Sequence, residues 1–491
     1  MFYTRTRANA HLPAAMRTYL IICILSVSAI TLLSGCNGLV EPTPSLDVLP
    51  TPDVSEPIPP YGAVPSPQQL AWQQMEQNLF IHFGINTFTR REWGDGTEDP
   101  VLFRPKNPDP KQWAQVAKEA GFNGIVFTAK HHEGFALWPT EHSDFSIARS
   151  PWYDENGRDI IKELAEACRE TGLKLGLYFS PWDRYEPTYG TLEYNDFFVA
   201  QLVELLTNYG PLFEIWFDGA GEGKASHLYD LKRYHSIVRE YQPDALIAVV
   251  GPDIRWVGNE NGIAPQPLWS AENDTWWYPY ECDVSIRPGW FWRAREDQSV
   301  KSLDELLDIY YNSVGKNCVL LLNVPVNQEG VIPEPDVQRL MEWRKVLDET
   351  FEENLALTGI ASAGNTREGR ETWAPQNAID GKKTTFWATD DSVRTATLEI
   401  DLRQKVRFNV IELAEPIQYG QRIAAYRVEV WTGKIWRKVA RGTTIGYKRL
   451  HRLNPVRTDR VRIVIEESRA NPALQDFSLY EAKGQGIPRD Y

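Results

Sequence analysis

Short apolar runs alternate with amphipathic segments over residues 68–351. Strands are predicted at 78–85, 124–128, 174–180, 213–217, 246–250 and 318–324. Helical periodicity lies between them, at 110–120, 160–171, 197–209, 228–242 and 303–314. Strand and helix repeat at intervals of roughly 40–50 residues, which is typical of parallel strands joined by crossover helices. The pattern therefore predicts an α/β fold for this part of the chain.

Two α/β architectures fit this alternation, an open doubly wound sheet and a closed barrel. The open sheet would carry a Gly-rich phosphate-binding turn after its first strand. The sequence at that place, FGINT at 83–87, is not such a turn. We therefore predict a TIM-like (β/α) barrel over residues 68–351, irregular between 250 and 300.

The pattern changes after Glu352. Two-residue alternation appears and helical periodicity disappears. The candidate strands lie at 397–402, 406–413, 425–431, 435–439 and 460–466. Many short alternating strands separated by turns predict an antiparallel β-sandwich, here over residues 352–491.

The first 36 residues are predicted to be a targeting signal rather than part of the fold. Arg17 precedes an apolar run at 19–33, which leads into LSGC at 33–36 and resembles a bacterial lipoprotein signal. We therefore expect export to the bacterial envelope, periplasmic or cell-surface, with a lipid anchor on Cys36. An uncleaved membrane anchor is the alternative, although the run is short for a span. Residues 37–67 hold nine prolines and predict an extended, disordered linker.

Composition narrows the class of partner. The chain carries 58 aromatic residues, 18 of them Trp, and a formal net charge of −14. Nucleic acid needs a basic footprint, so we exclude it as a partner. Aromatic side chains suit the flat, C–H-rich faces of sugars, although core packing also uses them. We expect a neutral or weakly charged ligand.

Three cysteines remain outside the signal segment: Cys168, Cys282 and Cys318. The chain has no CxxC spacing, so neither a zinc site nor a disulfide framework is predicted. Buried thiols are the favoured interpretation. One bridge, between Cys282 and Cys318, stays open as an alternative.

Four predicted strands end in unusual polar residues. They are found in FIHFG at 80–84, AKHHEGF at 129–135, LYFSPWD at 177–183 and WFDG at 216–219. The carboxyl ends of barrel strands meet at one mouth. We therefore expect one cavity lined by His82, His131, His132, Tyr178 and Asp218, with Trp93, Trp138 and Trp216 as candidate walls.

Each of these residues has a structural alternative. A single His82 in an apolar strand is more often a core residue, and Asp218 before a glycine is also typical of a turn. His131 and His132 are adjacent, and adjacent strand residues point to opposite sides, which makes a poor metal chelate. With no HExxH motif, we predict no metal there and favour hydrogen bonds to sugar hydroxyls.

Asp218 at the mouth of the barrel is our candidate for the nucleophile of a sugar hydrolase. A hydrolase that retains configuration needs a second carboxyl group about 5–5.5 Å from its nucleophile. The candidates after Asp218 are Glu222, Glu260, Glu272 and Glu281. Nearby Trp256 would desolvate Glu260 and raise its pKa, as a general acid requires. Glu272 also lies close to a Trp, so spacing alone does not choose between them.

Together these segments resemble the α-L-fucosidases of glycoside hydrolase family 29. The shared motifs are FIHFG at 80–84, NTF at 86–88, EWG at 92–94, TAKHHEGFALW at 128–138, WFDG at 216–219 and RWVGNE at 255–260. The resemblance implies that Asp218 is the nucleophile and that no cofactor is required. It further implies contacts to fucose from His82, Trp93, His131, His132, Tyr178 and Trp216. Glu133 stands where many relatives have Asp, which keeps the charge.

Two motifs resemble the subgroup that cleaves α-1,3/1,4-fucosyl branches: GPDIRWVGNE at 251–260 and SIRPGWFW at 285–292. This resemblance implies Glu260 as the acid/base, with Arg255 and Trp290 as further substrate contacts. We thus expect a retaining exo-α-L-fucosidase acting on a fucosylated oligosaccharide or glycoconjugate. A broad or α-1,2-specific fucosidase and a non-catalytic glycan-binding lipoprotein are the alternatives.

The C-terminal part resembles a discoidin-like carbohydrate-binding module of the family 32 type. The motifs are DGKKTTFWAT at 380–389, FNVIELAEPIQYGQRI at 408–423 and FSLYE at 477–481. The resemblance implies that a structural Ca²⁺ is often present, with Asp380, Asp390 and Asp391 as candidate ligands. A sandwich that only packs on the barrel is the alternative to a sugar binder.

Overall fold

A computed structural model describes residues 58–220, 228–272 and 275–482. The predicted signal with Cys36, most of the linker and Glu222 lie outside the described residues. Within the described ranges, no helix is long and apolar enough to cross a membrane.

Eight parallel strands form a nearly closed barrel. In chain order the strands of the first part are β1 (Gln77–Ile81), β2 (Gly124–Lys130), β3 (Lys174–Phe179), β4 (Glu214–Phe217), β5 (Leu246–Val249), β6 (Arg255–Trp256), β7 (Ala271–Glu272), β8 (Trp276–Trp277), β9 (Tyr280–Ser285) and β10 (Cys318–Asn323). The barrel order is β5-β4-β3-β2-β1-β10-β9-β6, and β7 and β8 form a separate antiparallel hairpin. A parallel bridge between Ala248 and Ile254 brings the two ends of the sheet together. The predicted TIM-like barrel is confirmed.

Helices lie between most of the barrel strands along the chain. They are α1 (Pro67–Met75), α2 (Ile85–Thr89), α3 (Pro110–Glu119), α4 (Pro151–Asn156), α5 (Ile160–Thr171), α6 (Tyr194–Asn208), α7 (Leu231–Tyr241), α8 (Leu303–Asn312) and α9 (Glu334–Phe351). Helix α5 illustrates the local cause. The Asp159 side chain accepts a hydrogen bond from the Lys162 amide at its start, and Gly172 in the left-handed region ends it.

The chain between 250 and 300 is irregular, as predicted. No helix separates β5 from β6, or β6 from β9, in the described residues there. Strands β6 and β9 were not predicted. Strand β6 has two residues, and β9 carries Glu281 and Asp283 inside an otherwise apolar run. Both carboxyl groups are buried, so they interrupt the pattern by which a buried strand is recognised.

The C-terminal part is antiparallel, as predicted. Its strands are β11 (Ile360–Ala363), β12 (Trp387–Ala388), β13 (Ala396–Ala414), β14 (Ile423–Trp431), β15 (Trp436–Gly442), β16 (Arg449–Ser468), β17 (Ala473–Leu474) and β18 (Asp476–Tyr480). The main sheet has the order β11-β13-β16-β14-β15, with β18 paired to β13, while β12 pairs with β17. The two strands predicted at 397–402 and 406–413 are one long strand with register shifts.

The sandwich packs at the end of the barrel where the strands begin. Lys448 forms an ion pair with Glu76, the residue before β1, at 2.7 Å. The backbone of Lys316, shortly before β10, forms an isolated antiparallel β-bridge with that of Arg449. Arg452 forms an ion pair with Asp308 of α8 at 2.6 Å. These contacts leave the opposite end, where the strands finish, as the mouth of the barrel.

Candidate active site

The four predicted polar segments meet at the mouth. The rings of His82 and His131 lie 5.6 Å apart, and the Tyr178 ring lies 5.7 Å from His131 and 6.5 Å from His132. The Tyr178 hydroxyl reaches Asp218, directly after β4, at 2.7 Å. Residues that are up to 136 positions apart thus line one cavity, because the ends of parallel strands share one edge.

Asp218 is held by two donors and remains open to the cavity. Its Oδ1 accepts a hydrogen bond from the Ala220 amide at 2.7 Å, and its Oδ2 accepts one from Tyr178 at 2.7 Å. The side chain keeps 21% of its surface exposed. The Ala220 contact is the expected turn contact, whereas the Tyr178 bond orients the carboxylate from a neighbouring strand. This is an oriented, accessible carboxylate, as a nucleophile requires.

His82 presents an acceptor to the cavity. Asn323, the last residue of β10, donates through Nδ2 to Ser285 Oγ and to the Trp290 carbonyl, each at 2.9 Å. The Asn323 Oδ1 atom therefore faces His82 Nδ1 at 2.9 Å, and the imidazole donates to it. Burial, and then the neighbouring His131, lower the pKa of His82 well below its usual value. The ring is neutral, with its Nε2 lone pair free to accept from a ligand hydroxyl.

His132 is a second neutral imidazole. Ser180 Oγ donates to the Trp182 carbonyl at 3.0 Å, so the same oxygen accepts from His132 Nδ1 at 2.8 Å. Burial, followed by His131, lowers the pKa of His132 well below its usual value. Its Nε2 then faces Asp218 Oδ2 at 3.5 Å as an acceptor. The His132 Nε2 lone pair can thus accept the proton of a ligand hydroxyl.

The argument that His131 and His132 point to opposite sides was wrong. Both residues follow the end of β2 at Lys130, so strand alternation does not apply to them, and their rings lie only 4.1 Å apart. His131 Nδ1 lies 3.2 Å from Glu133 Oε2, which also accepts from Asn86. In the part of the chain that the structure describes, no three His, Cys, Asp or Glu side chains are grouped as metal ligands.

Tryptophans form the walls of the cavity, although not all the predicted ones. Trp93 is half exposed and meets the His132 ring edge-on at 5.6 Å. Trp290 lies 5.1 Å from His82, and Trp216 stacks on Tyr178 at 5.3 Å. The prediction for Trp138 was wrong, because its indole is buried and donates to Glu204 of α6.

Comparison with known proteins identifies the family. Residues 68–350 match the family model for α-L-fucosidase, and residues 361–478 match the model for the F5/8 type C domain. The chain belongs to the α-L-fucosidase family. It is therefore a glycoside hydrolase of family 29 that carries a discoidin-like C-terminal domain.

Relatives align with this fucosidase over most of its length. α-L-Fucosidase 1 of Arabidopsis thaliana is 40% identical over 95% of this chain and 94% of its own. The crystal structure of SpGH29 has a TM-score of 0.82 at 39% identity, over 87% of this chain and 100% of that chain. The family 29 fucosidase of Ruminococcus gnavus, solved in complex with fucose, has a TM-score of 0.81 at 32% identity, over 87% of this chain and 97% of that chain.

The candidates for the second carboxyl group of the fucosidase lie in different surroundings. Glu260 is exposed and accepts a hydrogen bond from Trp290 Nε1 at 3.2 Å. Glu281 is buried and accepts from Trp216 inside the barrel. Glu222 and the side chain of Glu272 lie outside the described residues. The Trp290 contact therefore links Glu260, and not Glu281, to the mouth beside His82.

Asp283 is a carboxyl group that the sequence analysis missed. Its Oδ1 accepts from Trp256 Nε1 at 2.6 Å, so the indole expected to cover Glu260 binds Asp283 instead. Burial raises the pKa of Asp283 to about 7 against this hydrogen bond, and the charges of Glu260 and Asp218 add to the rise. The pKa of Asp283 therefore depends on the charges of both carboxylates. Asp283 and Asn323 are polar residues near the ends of the apolar strands β9 and β10. A polar residue at the end of an apolar run is the same sequence pattern that identified His82.

Arg255 lies where β6 and β9 begin. Its guanidinium donates to the Tyr280 hydroxyl at 2.7 Å and stacks at 4.6 Å on the rings of both Tyr278 and Tyr280. The prediction that Arg255 contacts substrate gains no support from this placement.

The aspartates considered for calcium in the C-terminal domain accept hydrogen bonds from other residues. Asp390 accepts from the Glu368 amide and Asn365, and Asp391 pairs with Arg367. Asp380 accepts from Thr385 at 2.8 Å. A guanidinium, a hydroxyl and amide groups donate to these oxygens, and calcium at this place stays a prediction from the resemblance.

The two cysteines considered for a bridge lie side by side. Cys282 and Cys318 are buried free thiols with their sulfur atoms 2.9 Å apart. Burial raises the pKa of Cys318 well above its usual value, so this thiol stays protonated and unreactive.

Proposed function

We propose that this enzyme is a retaining exo-α-L-fucosidase that removes α-1,3/1,4-linked fucosyl branches. The observation that carries the proposal is the Asp218 carboxylate, oriented by Tyr178 and open to the cavity that His82 and His132 line. Glu260 reaches the same mouth through its contact with Trp290.

In the first step, Asp218 attacks the anomeric carbon of fucose while Glu260 gives a proton to the departing glycosidic oxygen. A covalent fucosyl-enzyme forms and the aglycone leaves. In the second step, ionised Glu260 takes a proton from water, which attacks the anomeric carbon and displaces Asp218. Two inversions give a product of unchanged anomeric configuration.

The histidines bind and orient the sugar rather than transfer protons. His82 and His132 are neutral, so each offers a lone pair to a ring hydroxyl. Trp93 and Trp290 offer apolar faces at the mouth, which suit the C–H-rich faces of the sugar. Such contacts hold the anomeric carbon near Asp218, which is the main contribution of positioning to catalysis.

The linkage preference rests on the two motifs that hold Glu260 and Trp290. The hydrogen bond between these residues joins the two motifs at the mouth, beside His82. The competing hypothesis is a broad or α-1,2-specific enzyme. A Lewis trisaccharide should be hydrolysed at least tenfold faster than 2′-fucosyllactose, and the reverse order would contradict the proposal.

Azide rescue tests the catalytic roles. Asp218→Ala should abolish turnover of an aryl α-L-fucoside, and azide should then give fucosyl azide of inverted configuration. Glu260→Ala with azide should give fucosyl azide of retained configuration, because azide replaces water in the second step. Glu281→Ala and Asp283→Ala are the matched comparisons. Retained azide product from either of these variants instead would overturn the assignment of Glu260.

We further propose that Cys36 anchors the enzyme to the bacterial envelope. Support comes from the LSGC sequence after the apolar run. Cys36→Ala should move the expressed protein from the membrane fraction to the soluble fraction. An unchanged distribution would favour the uncleaved-anchor alternative.

A further inference from the structure

Two buried glutamates lie inside the barrel beneath the site. Glu214 of β4 is fully buried, and Glu281 of β9 is 1% exposed. Their carboxyl groups are within hydrogen-bonding distance of each other. Two ionised carboxylates in contact in an apolar interior would each lose hydration and repel the other. The pair therefore needs a proton.

The four carboxyl oxygens indicate where that proton lies. Glu214 Oε2 accepts from Trp72 Nε1 at 2.9 Å, and Glu281 Oε2 accepts from Trp216 Nε1 at 2.8 Å. The two Oε1 atoms are buried and find no donor among the described residues. One proton placed between the two Oε1 atoms satisfies both, because one carboxyl then donates to the other.

The pair connects to the proposed nucleophile through two aromatic rings. Glu281 fixes the Trp216 indole, which stacks on Tyr178 with the ring planes 22° apart. Tyr178 in turn donates to Asp218. We propose that Glu214 and Glu281 share one proton and together act as positioning residues for Asp218. The positioning part rests on the proposed function of Asp218, whereas the shared proton does not.

The negative charges around the pair favour its protonated form. Burial raises the pKa of Glu281 well above its usual value, and the neighbouring Glu214 and Asp283 charges raise it further. Burial also raises the pKa of Glu214. Besides Asp283, the facing groups from α1, β3 and β4 are the Trp72 indole, the Tyr178 phenol and the Trp216 indole. The proton is thus kept at neutral pH. Alkaline pH removes it and leaves two carboxylates that repel each other, which displaces Glu281 together with the Trp216 indole bonded to it.

Infrared difference spectroscopy tests the shared proton directly. At pH 7 the wild type should show the C=O stretch of a buried protonated carboxylic acid, which shifts in heavy water. Glu214→Gln and Glu281→Gln should each lose this band, because an amide N–H replaces the shared proton. Glu429→Gln is the control and should keep the band, because hydrogen bonds from Arg427 and Arg462 lower the pKa of this buried sandwich glutamate against the effect of burial. A wild type without the band, or a band of undiminished intensity in both variants, would overturn the proposal.

Kinetics tests the positioning role. Glu281→Leu leaves the Trp216 N–H unpaired and should lower kcat about tenfold with little change in KM, since substrate contacts remain. Glu281→Gln keeps an acceptor for Trp216, so it should recover most of kcat and lose the alkaline decline of activity. If Glu281→Leu does not fold, Trp216→Phe removes the same hydrogen bond from the other side. Wild-type kcat in both disrupting variants would overturn the positioning role.

The two proposals fail separately. An active Asp218→Ala variant would refute the nucleophile assignment, yet the carboxylic acid band would still report on the pair. An inactive Asp218→Ala variant that keeps the band, together with normal kcat in Glu281→Leu and Trp216→Phe, would refute only the positioning role.

Discussion

Replacing Tyr178 by Phe tests the link between the site geometry and catalysis. The change removes one hydroxyl group that donates to Asp218 Oδ2 at 2.7 Å. The ring itself remains, with its stacking on Trp216 at 5.3 Å and on His131 at 5.7 Å. The perturbation is therefore confined to the contacts of the hydroxyl group, which are those with Asp218 and Ser180.

The structure sets the size of the expected effect. A hydrogen bond to a charged group contributes about 1.5–3 kcal/mol, and each 1.4 kcal/mol or so corresponds to about tenfold in rate. Complete loss of such a hydrogen bond would lower kcat/KM by about 10- to 150-fold. Tyr178 is buried, but the Asp218 side chain is 21% exposed, so water replaces part of the lost bond. We expect the lower end, about tenfold.

The assay is hydrolysis of an aryl α-L-fucoside by wild type and Tyr178→Phe. Tyr209→Phe is the matched control, because Tyr209 also donates to a carboxylate, Asp159 at the start of α5, at 2.9 Å. The control should lose stability but keep kcat/KM. A Tyr178→Phe variant within twofold of wild type, or an equal loss in the control, would refute the view that this bond orients the nucleophile.

Three further predictions concern stability and loop geometry. Arg287→Met breaks a buried ion pair with Asp336 and should lower the free energy of unfolding by about 3–5 kcal/mol in urea titration. Gly134→Ala places a Cβ against Asp183 at a φ of +93°, and should reduce both thermal stability and kcat/KM. Burial raises the pKa of Asp283 from its usual value of 3.8 to about 7 in the folded state. The folded state therefore binds more protons between these values, and wild type loses stability as pH rises through them. Asp283→Asn should therefore gain stability relative to wild type between pH 4 and pH 8, and a constant difference would contradict the raised pKa.

Local patterns were sufficient for much of the fold and for half of the site. Apolar runs at fixed intervals identified six of the eight barrel strands, and the polar residues that end them pointed to His82, Tyr178 and Asp218. This works because strand ends of a parallel barrel converge whatever the loops contain. It failed at β9, where Glu281 and Asp283 interrupt the apolar pattern.

The sequence by itself determined the order of most strands and helices, the change to antiparallel strands, and the presence of His82, Tyr178 and Asp218 at the mouth. Only the tertiary structure decided which groups touch: that Trp256 binds Asp283, that Trp138 packs away from the site, and that Glu214 and Glu281 meet. The physical reason is the separation along the chain of the residues that determine each property. Periodicity records which face of an element is buried, whereas hydrogen bonds and pKa values depend on partners brought together from distant parts of the chain.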